Sequence, residues 1–178
     1  MRVKGVSAVL FFSAIVSLLV FPVPSCAGQR TVEGKVSRVI DGDTLTLVTR
    51  EGTKLRVRLY GIDAPEVRHE DMPGQAHGEE AKDALKAMVL GRRVTLEIVD
   101  IDAHRRVVGI VNCAGADINR EMVRSGNAWA YRRYLSAPYA SAYIDAENEA
   151  RGRRAGLWKR DNPDPPWEFK KRIRQACG

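Results

Sequence analysis

The 178-residue sequence has three cysteines, Cys26, Cys113 and Cys177, and no Cys-x-x-Cys pair or Cys/His cluster. That composition excludes a structural zinc site of the usual kind. No internal repeat is present, and no succession of helix and strand runs calls for a parallel sheet. The longest uncharged apolar run, Val6 to Phe21, falls short of the ~20 residues that a membrane span needs. An EF-hand loop is excluded too, because Leu45 stands where the next ligand after Asp43 should be. Finally, no element reads as a helix that would decode base edges in a groove, so sequence-specific recognition is not expected.

What is present describes a single globular domain. The apolar content of 44% and charged content of 29% are ordinary for one packed core and do not fit disorder over the whole length. Arg2 and Lys4 precede the apolar run, and Ser25, Cys26 and Ala27 follow it. These are the three parts of a secretory leader, expected over residues 1–27, with export to a periplasmic or external space. "VPSC" offers a second outcome, a lipid anchor on Cys26. Removing Arg2 and Lys4 with the leader lowers the formal charge from +7 to +5, still basic. An oxidising destination leaves two readings for Cys113 and Cys177, a disulfide tying the tail to the domain or two separate thiols.

Three β-like runs, "TVEGKVSRVI", "TLTLVT" and "KLRVRLYGI", open the domain and are separated by "DGD" and "REGT" turns. In the third, Leu55, Val57 and Leu59 alternate with Lys54, Arg56 and Arg58. One face is therefore apolar and the other basic. The period then changes to helical in "EEAKDALKAMVL", with Ala81, Ala84, Leu85 and Met88 on one side and Gly91 as terminator. Two more strands, "RVTLEIV" and "RRVVGIVN", are followed by a helix capped by Asp117 and closed by Gly126. A last helix over about Pro138 to Arg154 turns Tyr139, Tyr143, Ala146 and Ala150 inward. This order predicts an α+β, mainly β fold, a five-stranded Greek-key barrel of the OB type with about three helices over residues 28–160. Residues 161–178 form a tail, extended at its prolines and then either a short basic helix or unfolded.

Carboxylates and arginines gather at the strand ends: Asp41 and Asp43, then Arg58, Asp63 and Glu66, then Arg105 and Arg106. Carboxylates suit a hard cation and guanidiniums suit phosphate oxygens. Each segment alone has a plain structural explanation, since "DG" is a favoured turn and Asp63 and Glu66 flank a proline.

Jointly, "VIDGDTLTL", "RLYGIDAPE", "DAHRRVVGIV", "INREMVRSGNAWAYRRY" and "GLW" resemble the staphylococcal-nuclease-like family over about residues 31–160. The resemblance implies an OB-fold enzyme that hydrolyses DNA and RNA phosphodiesters with Ca²⁺. It also implies Asp43, Asp63 and the backbone carbonyl of Ala64 as calcium ligands, with Asp41 behind them. Glu66 matches the proposed general base, and Arg58 and Arg106 match the phosphate-binding arginines. Tyr131 and Tyr134 are candidates for a nucleobase pocket, with Trp129 and one of these tyrosines equally suited to the core. The pattern departs at His104-Arg105-Arg106, where the family usually has Tyr-Gly-Arg. The missing glycine raises the question of how this loop turns. His104 then stands in the slot of a base-stacking residue, and Arg105 is a second candidate for the role of Arg106. The expected partner is nucleic acid, bound by a monomer. The rival readings are a non-catalytic nucleic-acid-binding module built on the same barrel and an envelope lipoprotein.

Overall fold

The computed structural model describes residues 30–70 and 73–176. The expected leader, the lipidation site at Cys26 and the tail cysteine Cys177 lie outside the described residues. Cys113 is buried, with its thiol 3.8 Å from the carbonyl oxygen of Arg93.

Strands β1 (Thr31–Asp41), β2 (Thr44–Thr49) and β3 (Lys54–Leu59) form an antiparallel meander. After helix α1 (Gly78–Val89), β5 (Arg93–Ile101) pairs antiparallel with both β1 and β6 (Val107–Cys113). A parallel pairing of β3 with β6 closes the five strands into the expected barrel. Closure leaves no free edge among these strands. The barrel is filled by Val36, Val39, Leu45, Leu47, Val57, Leu59, Val94, Leu96 and Val111, with Leu85 and Val89 of α1 and Met122 packed against them. The period-2 alternation of β3 is realised, with Val57 and Leu59 buried and Arg58 on the opposite face.

The third run ends earlier than the sequence reading, which carried it to Ile62. Tyr60 and Gly61 make a turn, with Gly61 at φ +71°, and the chain resumes as the two-residue β4 (Ile62–Asp63). Strand β4 pairs with β8 (Trp129–Ala130), outside the barrel. Strand β7 (Ala116–Asp117) pairs antiparallel with the end of β6 and leads into helix α2 (Ile118–Arg124), which is capped as expected: the Asp117 carboxylate accepts from the N–H of Arg120, and Gly126 follows at φ +73°. Helix α3 (Ala140–Gly152) buries Tyr143, Ala146 and Ala150, and also Glu147. The tail resolves in favour of structure. Pro166 opens a fourth helix, α4 (Pro166–Ala176), in agreement with the preference of proline for the first helical turn.

Candidate active site

Two acidic turns are brought together by close backbone approach. The β1–β2 turn carries Gly42, where a Cβ would stand 2.6 Å from the Cβ of Ala64 and 2.9 Å from that of Ala81. Only glycine lets this turn lie against the segment after β4. Asp41 shapes the turn, its Oδ1 accepting from the N–H of Asp43 at 3.2 Å. Asp43 then reaches across, its Oδ2 accepting from the N–H of Ala64 at 2.8 Å, while its Oδ1 accepts from the Thr44 hydroxyl.

Asp43 and Asp63 are 3% and 1% exposed. A carboxylate buried to that degree is costly unless it is paired and hydrogen-bonded. The Arg58 guanidinium supplies the pairing for both. Its Nη1 lies on Asp43 Oδ2, and its Nη2 donates to Asp63 Oδ1 at 2.6 Å and to the Ile62 carbonyl at 3.3 Å. Arg58 is therefore no free charge on a basic strand.

Glu66 joins through a residue that the sequence reading did not select. Lys170, on α4, lies 3.1 Å from Asp63 Oδ1 and 2.8 Å from Glu66 Oε1. The Glu66 backbone is fixed by Gln75, which accepts its N–H and donates to its carbonyl. Gly78 packs so closely on that carbonyl that a side chain there would clash.

The β3–β6 register pairs Arg58 with Val108. Arg106 stands in the β5–β6 loop, immediately before β6. Its guanidinium is engaged by Asp102: Nε donates to Oδ2 at 2.7 Å, while Oδ1 accepts the N–H groups of His104 and Arg106. Partial burial raises the Asp102 pKa, but the hydrogen bonds from Arg106 prevail and hold it below the usual carboxylate range. Arg105 takes the conformation that glycine would supply, with φ +59°, so the loop turns without the missing glycine. His104 and Arg105 are both exposed there.

The aromatic candidates divide. Trp129 belongs to the core, edge-on to Trp158 at 4.3 Å. Tyr131 is half-buried and tied to the acidic site, because its N–H donates to the Gly61 carbonyl next to β4. Burial, and then the charge of Asp63, push its hydroxyl pKa up. Tyr134 is 58% exposed and packs edge-on to Tyr131. A second unanticipated residue completes the group: Trp167 of α4 stacks on Tyr131 with centroids 5.1 Å apart and rings nearly parallel.

Two further polar residues hold these parts in place. Asn119, fully buried, accepts from Val111 N–H and donates to the carbonyls of Tyr60 and Gly109, which clamps the end of β3 to β6. Glu147 accepts from Ala130 N–H and pairs with Arg132 and Arg151, which fixes β8 beside the site.

Among the described residues no three His, Cys, Asp or Glu side chains converge as a ready metal cluster. The acidic centre is a pair of aspartates with Glu66 linked through Lys170. Its donors are all hard oxygens, and two cationic groups already rest on them. That chemistry fits a hard divalent ion, which fills the rest of its coordination with carbonyl and water oxygens.

A family model described as staphylococcal nuclease homologue matches residues 56–160. The chain belongs to the staphylococcal nuclease family. Relatives that match nearly end to end agree. A Shigella flexneri protein named micrococcal nuclease is 34% identical over 182 residues, covering 97% of this chain and 98% of that protein. A Haemophilus influenzae protein named an uncharacterized endonuclease is 35% identical over 161 residues, covering 89% and 85%. The Escherichia coli protein ParB is 38% identical over 173 residues, covering 92% of each. Within the nuclease family match lie Arg58, Asp63, Ala64, Glu66, Arg106, Tyr131 and Tyr134, whereas Asp43 precedes it and α4 follows it.

Proposed function

We propose that the protein is an exported endonuclease that hydrolyses phosphodiester bonds of DNA or RNA, using Ca²⁺ and little sequence specificity. The observation that carries this reading is the buried pair Asp43 and Asp63 sharing one arginine on the rim of a basic barrel. Membership of the nuclease family and the names of its relatives support hydrolysis over passive binding. That the sequence retains each carboxylate and arginine that the family resemblance implies supports an enzyme over the rival binding module. Export rests on the sequence of residues 1–27, and mass spectrometry of the mature N-terminus tests it against lipidation of Cys26.

Asp43, Asp63 and the Ala64 carbonyl would hold the ion, which when bound neutralises phosphate charge and favours attack by water. Glu66, fixed through Gln75 and Gly78, would orient that water and accept its proton. Arg58 would donate to the non-bridging oxygens in a fork that lysine cannot reproduce. Arg106, oriented by Asp102, would give the second such contact. Tyr131 would present a flat surface to the adjacent nucleobase.

The test is cleavage of labelled single-stranded DNA and RNA with Ca²⁺, with Mg²⁺ and with chelator, beside Glu66→Gln and Arg58→Ala. Cleavage with Ca²⁺, abolished by chelator and reduced ~10²-fold or more in both variants, is expected. Binding without cleavage under every metal would overturn the reading in favour of the binding module.

A further inference from the structure

Helix α4 turns Pro166, Phe169 and Ile173 towards the domain, as an amphipathic helix does, and beside that apolar face it presents a stripe of cations. Trp167, Lys170, Lys171 and Arg174 are spaced i, i+3, i+4 and i+7 and so share one face. Trp167 anchors it, stacked on Tyr131 and edge-on to Trp129 at 5.6 Å. Lys170 takes the carboxylates of Asp63 and Glu66. Next to them a groove of about 570 Å³ runs between α4 and the chain after β8, lined by Tyr131, Arg133, Trp167, Lys171 and Arg174 among others. Two acids also line it. Glu147 is already taken by Arg132 and Arg151, and Glu168 is exposed in the first turn of α4. Among the described residues Arg133, Lys171 and Arg174 have no carboxylate within ion-pair distance.

We propose that this groove is a second strand-binding subsite, in which α4 holds single-stranded nucleic acid running on from the acidic centre. Lys171, Arg174 and Arg133 take its phosphates and the Tyr131–Trp167 pair takes a base. Unpaired cations beside flat aromatic walls suit an extended polyanion carrying rings, and they suit neither an acidic peptide, which lacks the rings, nor a small apolar ligand. Trp167, Lys171 and Arg174 lie beyond the family match, whereas Tyr131 and Arg133 lie within it, so the subsite joins the tail helix to the nuclease barrel. The inference rests on the nuclease reading and extends it.

The experiment uses the full mature chain with a fluorescein-labelled twelve-nucleotide oligothymidylate. Anisotropy is followed in chelator, so that nothing is cleaved, over a range of salt. The variant Lys171→Gln/Arg174→Gln should bind about tenfold more weakly, with the salt slope shallower by about 1.4, or ~0.7 for each phosphate no longer neutralised. A charge-matched control on α1, Lys82→Gln/Lys86→Gln, should keep the slope. Trp167→Ala should weaken binding ~5-fold or more, with Trp167→Phe restoring most of it. Circular dichroism of each variant guards against unfolding of α4. Wild-type slope and affinity in the doubly substituted α4, with cleavage by the wild type intact, would overturn the subsite and leave the nuclease reading standing. A wild type that neither binds nor cleaves the oligonucleotide would overturn both.

Discussion

Arg58 Nη2 donates to Asp63 Oδ1 across 2.6 Å, and the same guanidinium also lies on Asp43. One side chain thus bridges two buried carboxylates that arrive from different turns. Replacing it by alanine should lower cleavage ~10²- to 10³-fold. It should also destabilise the metal-free protein by ~3–5 kcal/mol, since Asp43 is left buried with no cation and Asp63 keeps only Lys170. Arg58→Lys should stay at least about tenfold below wild type, because an ammonium cannot span both carboxylates. Urea unfolding with and without Ca²⁺, beside initial cleavage rates, checks this. The variant should regain part of the lost stability when the ion is added.

The Arg105 backbone sits at φ +59° because the β5–β6 loop needs a left-handed residue. For a residue with a Cβ this costs ~1–2 kcal/mol, against ~0.5–1 kcal/mol of extra chain entropy that glycine loses on folding. Arg105→Gly should therefore stabilise the protein by about 0.5–1 kcal/mol, and Arg105→Val should destabilise it. Thermal unfolding of the two variants decides the matter.

Asn119 makes three buried hydrogen bonds that join the end of β3 to β6. Asn119→Ala strands the Tyr60 carbonyl and the Val111 N–H in the core, while the Gly109 carbonyl keeps the Tyr60 N–H, for an expected loss of ~2–4 kcal/mol. The midpoint of urea unfolding should fall without a change in its slope.

Burial raises the Asp117 pKa, against hydrogen bonds from Arg120 N–H and the Tyr143 hydroxyl that pull the other way. A carboxyl whose folded pKa exceeds its unfolded value contributes stability below the unfolded pKa and loses it as pH rises through the folded one. Asp117→Asn keeps the helix cap and removes the titration. The stability of wild type relative to this variant should therefore improve as pH is lowered from 7 towards 4, measured by unfolding at each pH. A difference that does not change with pH contradicts the assignment.

Much of the barrel was legible because its information is local. The alternation in "KLRVRL", the helical spacing of Ala81, Leu85 and Met88, and the Asp117 and Gly126 punctuation each act within a few residues. The pairing of Asp43 with Asp63 was legible only through the family resemblance, since the close contact of Gly42 with Ala64 joins segments 22 residues apart. Asn119 and Glu147 carry no such local mark, because their hydrogen-bond partners lie on other elements of the chain. Lys170 and Trp167 were hidden for a related reason. Their roles depend on where the tail helix docks, and Lys170 resembles one more solvated cation until the acids beneath it are seen.

The most direct test of the central claim is calorimetric titration of Ca²⁺ into the metal-free protein, wild type beside Asp63→Asn and Lys170→Met. The account predicts one site in the wild type, its loss in Asp63→Asn, and tighter binding in Lys170→Met because the ion no longer displaces an ammonium. Equal affinity in wild type and Asp63→Asn, or no binding by any of the three, would contradict it.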